Sequence, residues 1–232
     1  MPVAEPSAAG PEPAPPPLVV ADGLVATGPR GGVFGPVAVR VSPGEVLAVT
    51  GPGGSGRTAL LLALAGRLRV AAGRLEVGGH ALGADPAAVR DLVAVARAGH
   101  AVDLDDLWTV GDAIADRVVL LARRRPAKGA LETAVRARLS AAGIDDLATS
   151  TPLHALAPLA RTLLDLALAA AEDRPVVVLD DADRGLVGAD ERRVWAALRT
   201  LAGEGRAVLA ATTDPGAAAG PATTFLALEP AA

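Results

Sequence analysis

The chain has 232 residues, of which 51% are hydrophobic and 21% charged, and its formal net charge is −4. This apolar excess excludes a disordered chain, and the acidic balance provides no overall field that would attract nucleic acid, so no nucleic-acid partner is expected. The sequence contains no cysteine, which excludes disulfides, thiolate metal sites and a thiol nucleophile.

Residues 1–17 are rich in proline and alanine and predict a disordered tail. The segment has neither a basic region nor the apolar run of a secretory signal. The longest apolar stretches, such as Ala59–Ala65 and Val118–Ala122, are far shorter than the ~20 residues that span a bilayer. We therefore expect a soluble, cytoplasmic protein.

Short valine-rich runs follow the tail, at Leu18–Val25, Val37–Val41 and Glu45–Thr50. Glycine and proline turns separate them, a pattern that predicts an antiparallel entry sheet leading into a buried strand. The third run continues into a glycine-rich loop. After it, Ala59–Leu68 carries apolar residues on every face, as a buried helix does.

The loop Gly51–Thr58 fits the phosphate-binding pattern G-x-x-x-x-G-K-[ST] at every fixed position except the lysine, which is Arg57. Glycines at 53, 54 and 56 permit a tight backbone path that points N–H groups inward, and the following helix adds its positive end. A glycine-rich turn without a ligand is the alternative interpretation. The residues predicted to bind nucleotide are Gly51, Pro52, Gly53, Gly54, Ser55, Gly56, Arg57, Thr58 and Ala59.

The rest of the chain alternates apolar strands with helices, which predicts parallel βαβ units and a sheet buried on both faces. A group of helices between about residues 100 and 172 forms a predicted insertion. The predicted strands are Arg74–Val77, Val93–Ala96, Pro175–Asp180, Arg206–Ala211 and Thr223–Ala227, and the predicted helices are Val110–Arg124, Ala130–Ala142, Leu156–Ala171 and Ala189–Ala202.

Asp180 ends one of the apolar strands, where its carboxylate could hold Mg²⁺ through water. Taken alone, it could equally cap the following turn. Together with the hydroxyl of Thr58 in the phosphate loop, it predicts a magnesium site.

Three segments resemble the nucleotide-binding domain of ATP-binding cassette (ABC) transporters: Ser42–Thr50 running into the loop, Thr109–Ile114, and Asp180–Leu186. The resemblance covers roughly residues 18–228. It implies an α/β P-loop NTPase of ABC type over residues 18–232, with a mostly parallel sheet, an antiparallel β entry subdomain and a small helical insertion.

The resemblance also implies ATP and Mg²⁺ as cofactors, a homo- or heterodimer of such domains, and a separate transmembrane transporter subunit. The protein would then lie at the inner face of the cell membrane. Asp181 takes the place of the family's catalytic glutamate, as a weakened base or water holder.

Five departures from the family pattern predict weakened hydrolysis. Val25–Gly28 offers no aromatic side chain to stack on adenine, and Arg97 replaces the glutamine that touches Mg²⁺. Leu156–Arg161 stands where the family has its glycine signature, and Pro158 has no N–H to offer a phosphate. Asp181 is one methylene shorter than glutamate, and Thr213 replaces the switch histidine.

Two interpretations of function remain from the sequence. One is the ATP-binding subunit of an ABC-type transport system with weakened hydrolysis. The other is a degenerate regulatory or scaffolding protein with little or no ATPase activity. A GTPase or small-molecule kinase lacks support, because the chain has no N-K-x-D motif.

Asp103, Asp105, Asp106 and Trp108 precede the helical insertion. In the family that the chain resembles, this neighbourhood receives a short helix of the membrane subunit, so the resemblance implies that these residues form an acidic lip with one aromatic anchor for a basic or amphipathic helix. The alternative is a solvated loop with Trp108 folded into the domain.

Overall fold

The computed structural model describes residues 15–29, 31–121 and 128–230. Most of the predicted tail and residues 122–124 of a predicted helix lie outside this described part. The chain forms two sheets. The antiparallel sheet has the order β2-β1-β4-β5, with β1 at Val19–Gly28, β2 at Gly31–Val41, β4 at Ala72–Val77 and β5 at His80–Ala81.

The second sheet is parallel and has the order β6-β7-β8-β3-β9. Its strands are β3 (Val46–Thr50), β6 (Val93–Arg97), β7 (Val176–Leu179), β8 (Ala207–Thr212) and β9 (Thr224–Ala227). The helices are α1 (Arg57–Leu64), α2 (Pro86–Asp91), α3 (Val110–Leu120), α4 (Lys128–Ala141), α5 (Pro158–Ala170) and α6 (Ala189–Gly203), and Leu153–Ala155 forms one 3₁₀ turn.

Side chains on the two faces of the parallel sheet enter two separate cores. Residues such as Ala48, Val177 and Ala210 pack with α3–α6, whereas Val49, Val178 and Leu209 pack with α1 and the antiparallel sheet. This burial on both faces explains the continuous apolar runs of β3, β6, β7 and β8. The predicted α/β class, with an antiparallel entry sheet, is confirmed.

Helix α1 begins at Arg57 and ends at Leu64, so the prediction that it continues to Leu68 is wrong. Gly66 adopts a left-handed conformation with φ of 68°. Its N–H donates to the carbonyl of Ala63 and that of Arg67 donates to Leu62, the paired bonds of a Schellman motif. The apolar pattern continues past this stop because Leu68 packs against the core in a loop.

Two short elements, α2 and β5, were not predicted from the sequence. Asp85 caps α2 by accepting a hydrogen bond from the N–H of Ala88 at 2.9 Å, and Pro86 occupies the first helical turn. The Asp-Pro pair was therefore an available signal. Within the described part of the chain, no helix is both long enough and apolar enough to cross a membrane.

Candidate functional site

The site lies where β3 and β7 end, at one edge of the parallel sheet. The phosphate loop follows β3, and Asp180 follows β7. Thr58, in the first turn of α1, donates a hydrogen bond from Oγ1 to Asp180 Oδ2 over 2.6 Å. The fold thus joins the two halves of the predicted magnesium site, which are 122 residues apart in sequence.

Asp180 is fully buried, and this burial raises its pKa, although the hydrogen bond from Thr58 opposes the shift. Its second oxygen, Oδ1, is buried without a hydrogen-bond partner among the described residues. A carboxylate and a hydroxyl are oxygen donors of the kind that Mg²⁺ prefers. The residues present therefore fit this ion.

Gly99 borders the same place, with φ of 52°. A Cβ there would lie 3.0 Å from Thr58 Cγ2 and 3.9 Å from Asp180 Oδ2. A side chain at this position would crowd the pair.

The glycines of the phosphate loop have distinct roles. Gly51, Gly54 and Gly56 have φ of 149°, 81° and 89°, whereas Gly53 does not adopt positive φ. A Cβ on Gly56 would lie 2.4 Å from the Val33 carbonyl oxygen. The loop thus packs directly on β2, and this contact excludes a side chain at Gly56.

Ser55 is buried inside the loop, and its Oγ has no hydrogen-bond partner within the described part of the chain. Its N–H donates to the Pro52 carbonyl over 3.2 Å. The loop therefore retains an unpaired hydroxyl next to the N-terminus of α1, where partial positive charge accumulates. This combination favours an anion.

Arg57 is directed at its own loop and at Asp181. Its Nη1 donates to the Gly51 carbonyl, and Nη2 lies 3.4 Å from Asp181 Oδ1. The Arg57 side chain is 10% exposed and that of Asp181 43%. In this conformation the Arg57 guanidinium is therefore bound by the Gly51 carbonyl and the Asp181 carboxylate.

Asp181 has a left-handed backbone with φ of 46°, an uncommon conformation for a residue other than glycine. Its carbonyl oxygen accepts a hydrogen bond from Arg97 Nη2 over 2.9 Å. Arg97 therefore holds the backbone of Asp181, the residue that the resemblance assigns to the position of the catalytic glutamate.

Arg97 is itself buried against α5, a contact that the sequence did not reveal. Its Nη1 lies 2.9 Å from Asp165 Oδ2, and Arg161 Nε lies 3.3 Å from Asp165 Oδ1. Burial raises the pKa of Asp165 to about 6, against the opposing effect of Arg97 and Arg161. Where an amide was expected from the resemblance, the chain places a buried ion pair.

Thr213, at the expected switch position, contacts Asp183 of its own chain. Asp183 Oδ2 accepts from the Thr213 N–H over 2.7 Å, from the Thr213 hydroxyl, and from Thr212 Oγ1 over 3.0 Å. Although burial raises the pKa of Asp183, these hydrogen bonds lower it overall. The turn after β7 and the end of β8 are thereby joined.

Pro158 is the first residue of α5, and Ala157 precedes it without a side-chain cap. Helix α5 thus begins two residues after the predicted start at Leu156. Trp195 is fully buried and belongs to the core that packs with α3–α6.

The loop before α3 differs from the predicted acidic lip with an aromatic anchor. Asp103 and Asp106 lie 3.0 Å and 2.7 Å from the guanidinium of Arg161. Trp108 is partly buried against the core, whereas Leu107 is 82% exposed. Arg161 pairs with two of the three acids. The outward apolar group is Leu107, and Asp105 has no arginine partner among the described residues, although its carboxylate accepts a hydrogen bond from the Leu107 N–H over 2.9 Å.

Comparison with known proteins gives a consistent result. The sequence profile of the family described as "ABC transporter" matches residues 34–184. The cytochrome c biogenesis ATP-binding export protein CcmA of Bordetella parapertussis is 35% identical over 207 residues, which cover 88% of this chain and 87% of that protein.

A second relative is the ATP-dependent lipid A-core flippase of Burkholderia pseudomallei (strain 1710b), which is 33% identical over 172 residues. The match covers 71% of this chain and only 27% of the flippase. Among solved structures, a dimeric bacterial ABC transporter cassette superposes with a TM-score of 0.77 at 17% identity, covering 91% of this chain and 94% of that one. A post-hydrolysis cassette bound to ADP and Pi gives a TM-score of 0.75 at 18% identity, with coverage of 91% and 95%.

Proposed function

The chain belongs to the ABC transporter family. We propose that it is the ATP-binding subunit of a transport system and that its hydrolysis of ATP is weakened. The observation that carries the proposal is the 2.6 Å hydrogen bond between Thr58 and Asp180. It joins the phosphate loop to a buried carboxylate that keeps one oxygen free of protein hydrogen bonds within the described residues.

The loop and the N-terminus of α1 would bind the phosphates through backbone N–H groups, as in other phosphate-binding loops. Thr58 and Asp180 would hold Mg²⁺, which neutralises phosphate charge when bound. Arg57 would have to leave the Gly51 carbonyl, or bind phosphate with its remaining N–H groups, because its guanidinium is already engaged.

Weakened hydrolysis is supported by the surroundings of Asp181. One of its carboxylate oxygens faces Arg57, and its backbone is held by Arg97. A water-orienting carboxylate must stand within hydrogen-bond reach of the attacking water, and a displacement of ~1 Å can cost on the order of 10²-fold in rate. The short side chain of Asp181 and these two contacts restrict that reach.

A titration of the purified full chain with ATP, with and without Mg²⁺, tests the proposal. We expect Mg²⁺-dependent binding and slow phosphate release that falls further in Asp181→Asn. Absence of heat and of any thermal shift at ATP concentrations on the order of millimolar would refute ATP binding.

The second candidate is a regulatory or scaffolding protein of the same fold, favoured by the hydrogen bonds that hold Thr213 to Asp183 of its own chain. If the wild type binds ATP but releases phosphate no faster than Asp181→Asn, the result selects this second candidate.

The proposal includes two partners, a second nucleotide-binding domain and a separate transmembrane subunit, and a location at the inner face of the membrane. Light scattering with and without Mg-ATP measures the first association. Co-purification from detergent extracts measures the second, and Leu107→Ser should weaken it, because Leu107 is the exposed apolar group of the loop before α3. Asp105→Asn is the matched polar control.

A further inference from the structure

A groove of about 1150 Å³ lies at the opposite end of α1 from the phosphate loop. It is formed by the segment that follows α1, by β4, and by the loop that leads from β5 into α2. None of the residues Gly51–Ala59, Asp180 or Asp181 lines it. It is therefore a separate place on the molecule.

Arginines without a carboxylate partner are concentrated in this groove. Ten described arginines lie within 4.0 Å of a carboxylate oxygen of the described chain. Seven do not, and four of these seven line the groove: Arg67, Arg69, Arg74 and Arg90.

The groove has few acids to balance these cations. Asp22 and Glu76 line it, and Asp22 lies 3.7 Å from Arg40 outside it. The lining thus carries more positive than negative charge in a chain whose net charge is −4. A local excess of this sign attracts anions.

Helix capping accounts for only two of the four arginines. Arg67 Nη1 donates to the Ala65 carbonyl over 3.2 Å, and Arg90 Nη1 to the Gly66 carbonyl over 3.5 Å, both at the end of α1. Arg69 and Arg74 make no hydrogen bond from their side chains within the described chain. Partial burial lowers the pKa of Arg67, and the nearby Arg174 and Arg90 add to this effect while Glu172 opposes it. A bound anion would offset the unfavourable burial of the positive charge on Arg67.

The groove also has apolar walls, provided by Leu68, Val70, Leu75 and Leu82. Arginine forks bind phosphate through paired N–H groups, whereas the walls suit a hydrocarbon chain. We propose that this groove binds a phosphate-bearing amphiphile, which is a phosphate group attached to an apolar chain. The ligand is either a free alkyl phosphate ester or an anionic phospholipid headgroup.

The test compares two charge-reversal variants of the full chain. The groove variant carries Arg69→Glu and Arg74→Glu. The control carries Arg192→Glu and Arg199→Glu, which make the same change in net charge on α6, outside the groove. Thermal unfolding shows whether both variants keep the fold of the wild type. A third variant, Arg57→Ala, shows whether the probe binds at the phosphate loop rather than in the groove.

The soluble probe is hexyl phosphate, followed by calorimetry, with hexyl sulfonamide as the uncharged comparison. The membrane probe is phosphatidylcholine vesicles with or without phosphatidylglycerol, followed by sedimentation. We expect binding to at least one phosphate probe, weakened by about tenfold or more in the groove variant and by raised salt, and retained in the control and in Arg57→Ala.

Binding of hexyl phosphate identifies a free ligand, whereas binding only to phosphatidylglycerol vesicles identifies the headgroup. The proposal is overturned if the wild type binds neither probe, or if the groove and control variants lose binding equally. It is also overturned if an acidic peptide without phosphate binds as tightly, because the groove would then be a site for a protein partner.

Discussion

Arg97 and Asp165 form an ion pair that is closed to solvent: Nη1 and Oδ2 are 2.9 Å apart, and the side chains are only 3% and 1% exposed. The pair ties the end of β6 to the middle of α5. Because Arg97 also holds the Asp181 carbonyl, packing of the helical segment and geometry of the candidate site depend on the same guanidinium.

Removing one partner of this pair should be costly. We expect Asp165→Leu to lower the free energy of unfolding by about 3–5 kcal/mol, because it leaves the buried Arg97 guanidinium without its counter-charge and without its oxygen acceptor. Glu132→Gln, which breaks the exposed pair with Arg136, should cost only about 0.3–0.5 kcal/mol. Urea unfolding measures both, and equal losses would contradict the prediction.

Replacing both partners separates stability from positioning. Arg97→Met with Asp165→Leu should regain much of the stability lost in Asp165→Leu alone, since apolar pairs often substitute for buried ion pairs. The rate of phosphate release by this double variant should stay below that of the wild type, because the Asp181 carbonyl has lost the Arg97 donor. Recovery of both properties would show that Arg97 acts only through stability.

Asp165 also predicts a pH dependence. Burial raises its pKa to about 6, above the ordinary value of 3.8, so between these values the folded state binds the proton more tightly than the unfolded state. Stability from this group therefore falls as pH rises from about 4 to about 6 and then stays level. The difference in unfolding free energy between wild type and Asp165→Asn should be larger near pH 5 than near pH 7. An equal difference at both pH values would rule out the raised pKa.

Two loop glycines provide a matched comparison. Gly56→Ala should lower stability by about 1–3 kcal/mol or more and abolish ATP binding, because its Cβ would meet the Val33 carbonyl in a left-handed backbone. Gly54→Ala adds only the backbone strain, about 1 kcal/mol, since no atom lies within 4 Å of its Cβ. Thermal unfolding and ATP titration measure the two variants, and similar behaviour of both would be the contradictory result.

Thr58 should affect the magnesium component of binding. Thr58→Val removes the hydroxyl that bonds Asp180, so we expect Mg-ATP to bind about tenfold more weakly, with little change for ATP in EDTA. Thr58→Ser keeps the hydroxyl and should bind like the wild type. If the valine variant loses affinity equally with and without Mg²⁺, Thr58 acts on the loop alone.

Local sequence patterns predict most of this fold. The strands of the parallel sheet are continuous apolar runs, and the phosphate loop carries its own spacing of glycines. The end of α1 required knowledge of Gly66 in a left-handed conformation, and β5 is a two-residue strand defined by its pairing with β4. Neither follows from periodicity.

The candidate site was less predictable, because its decisive contacts join distant positions. Arg97 and Asp165 are 68 residues apart, and Arg57 and Asp181 are 124 apart. Charge alone suggested an acidic surface at Asp103 and Asp106, yet Arg161 from α5 reaches both. The identity of a side chain does not reveal which partner the tertiary fold supplies.

The position of β9 at one border of the parallel sheet bears on how the protein behaves at high concentration. Within the described chain, β9 pairs only with β3 and has four residues, with Phe225 48% exposed. An open sheet edge can template pairing with another molecule, but so short a strand offers few outward N–H and C=O groups. Lengthening this strand by mutation, or adding further apolar side chains beside Phe225, would therefore be the change most prone to cause aggregation.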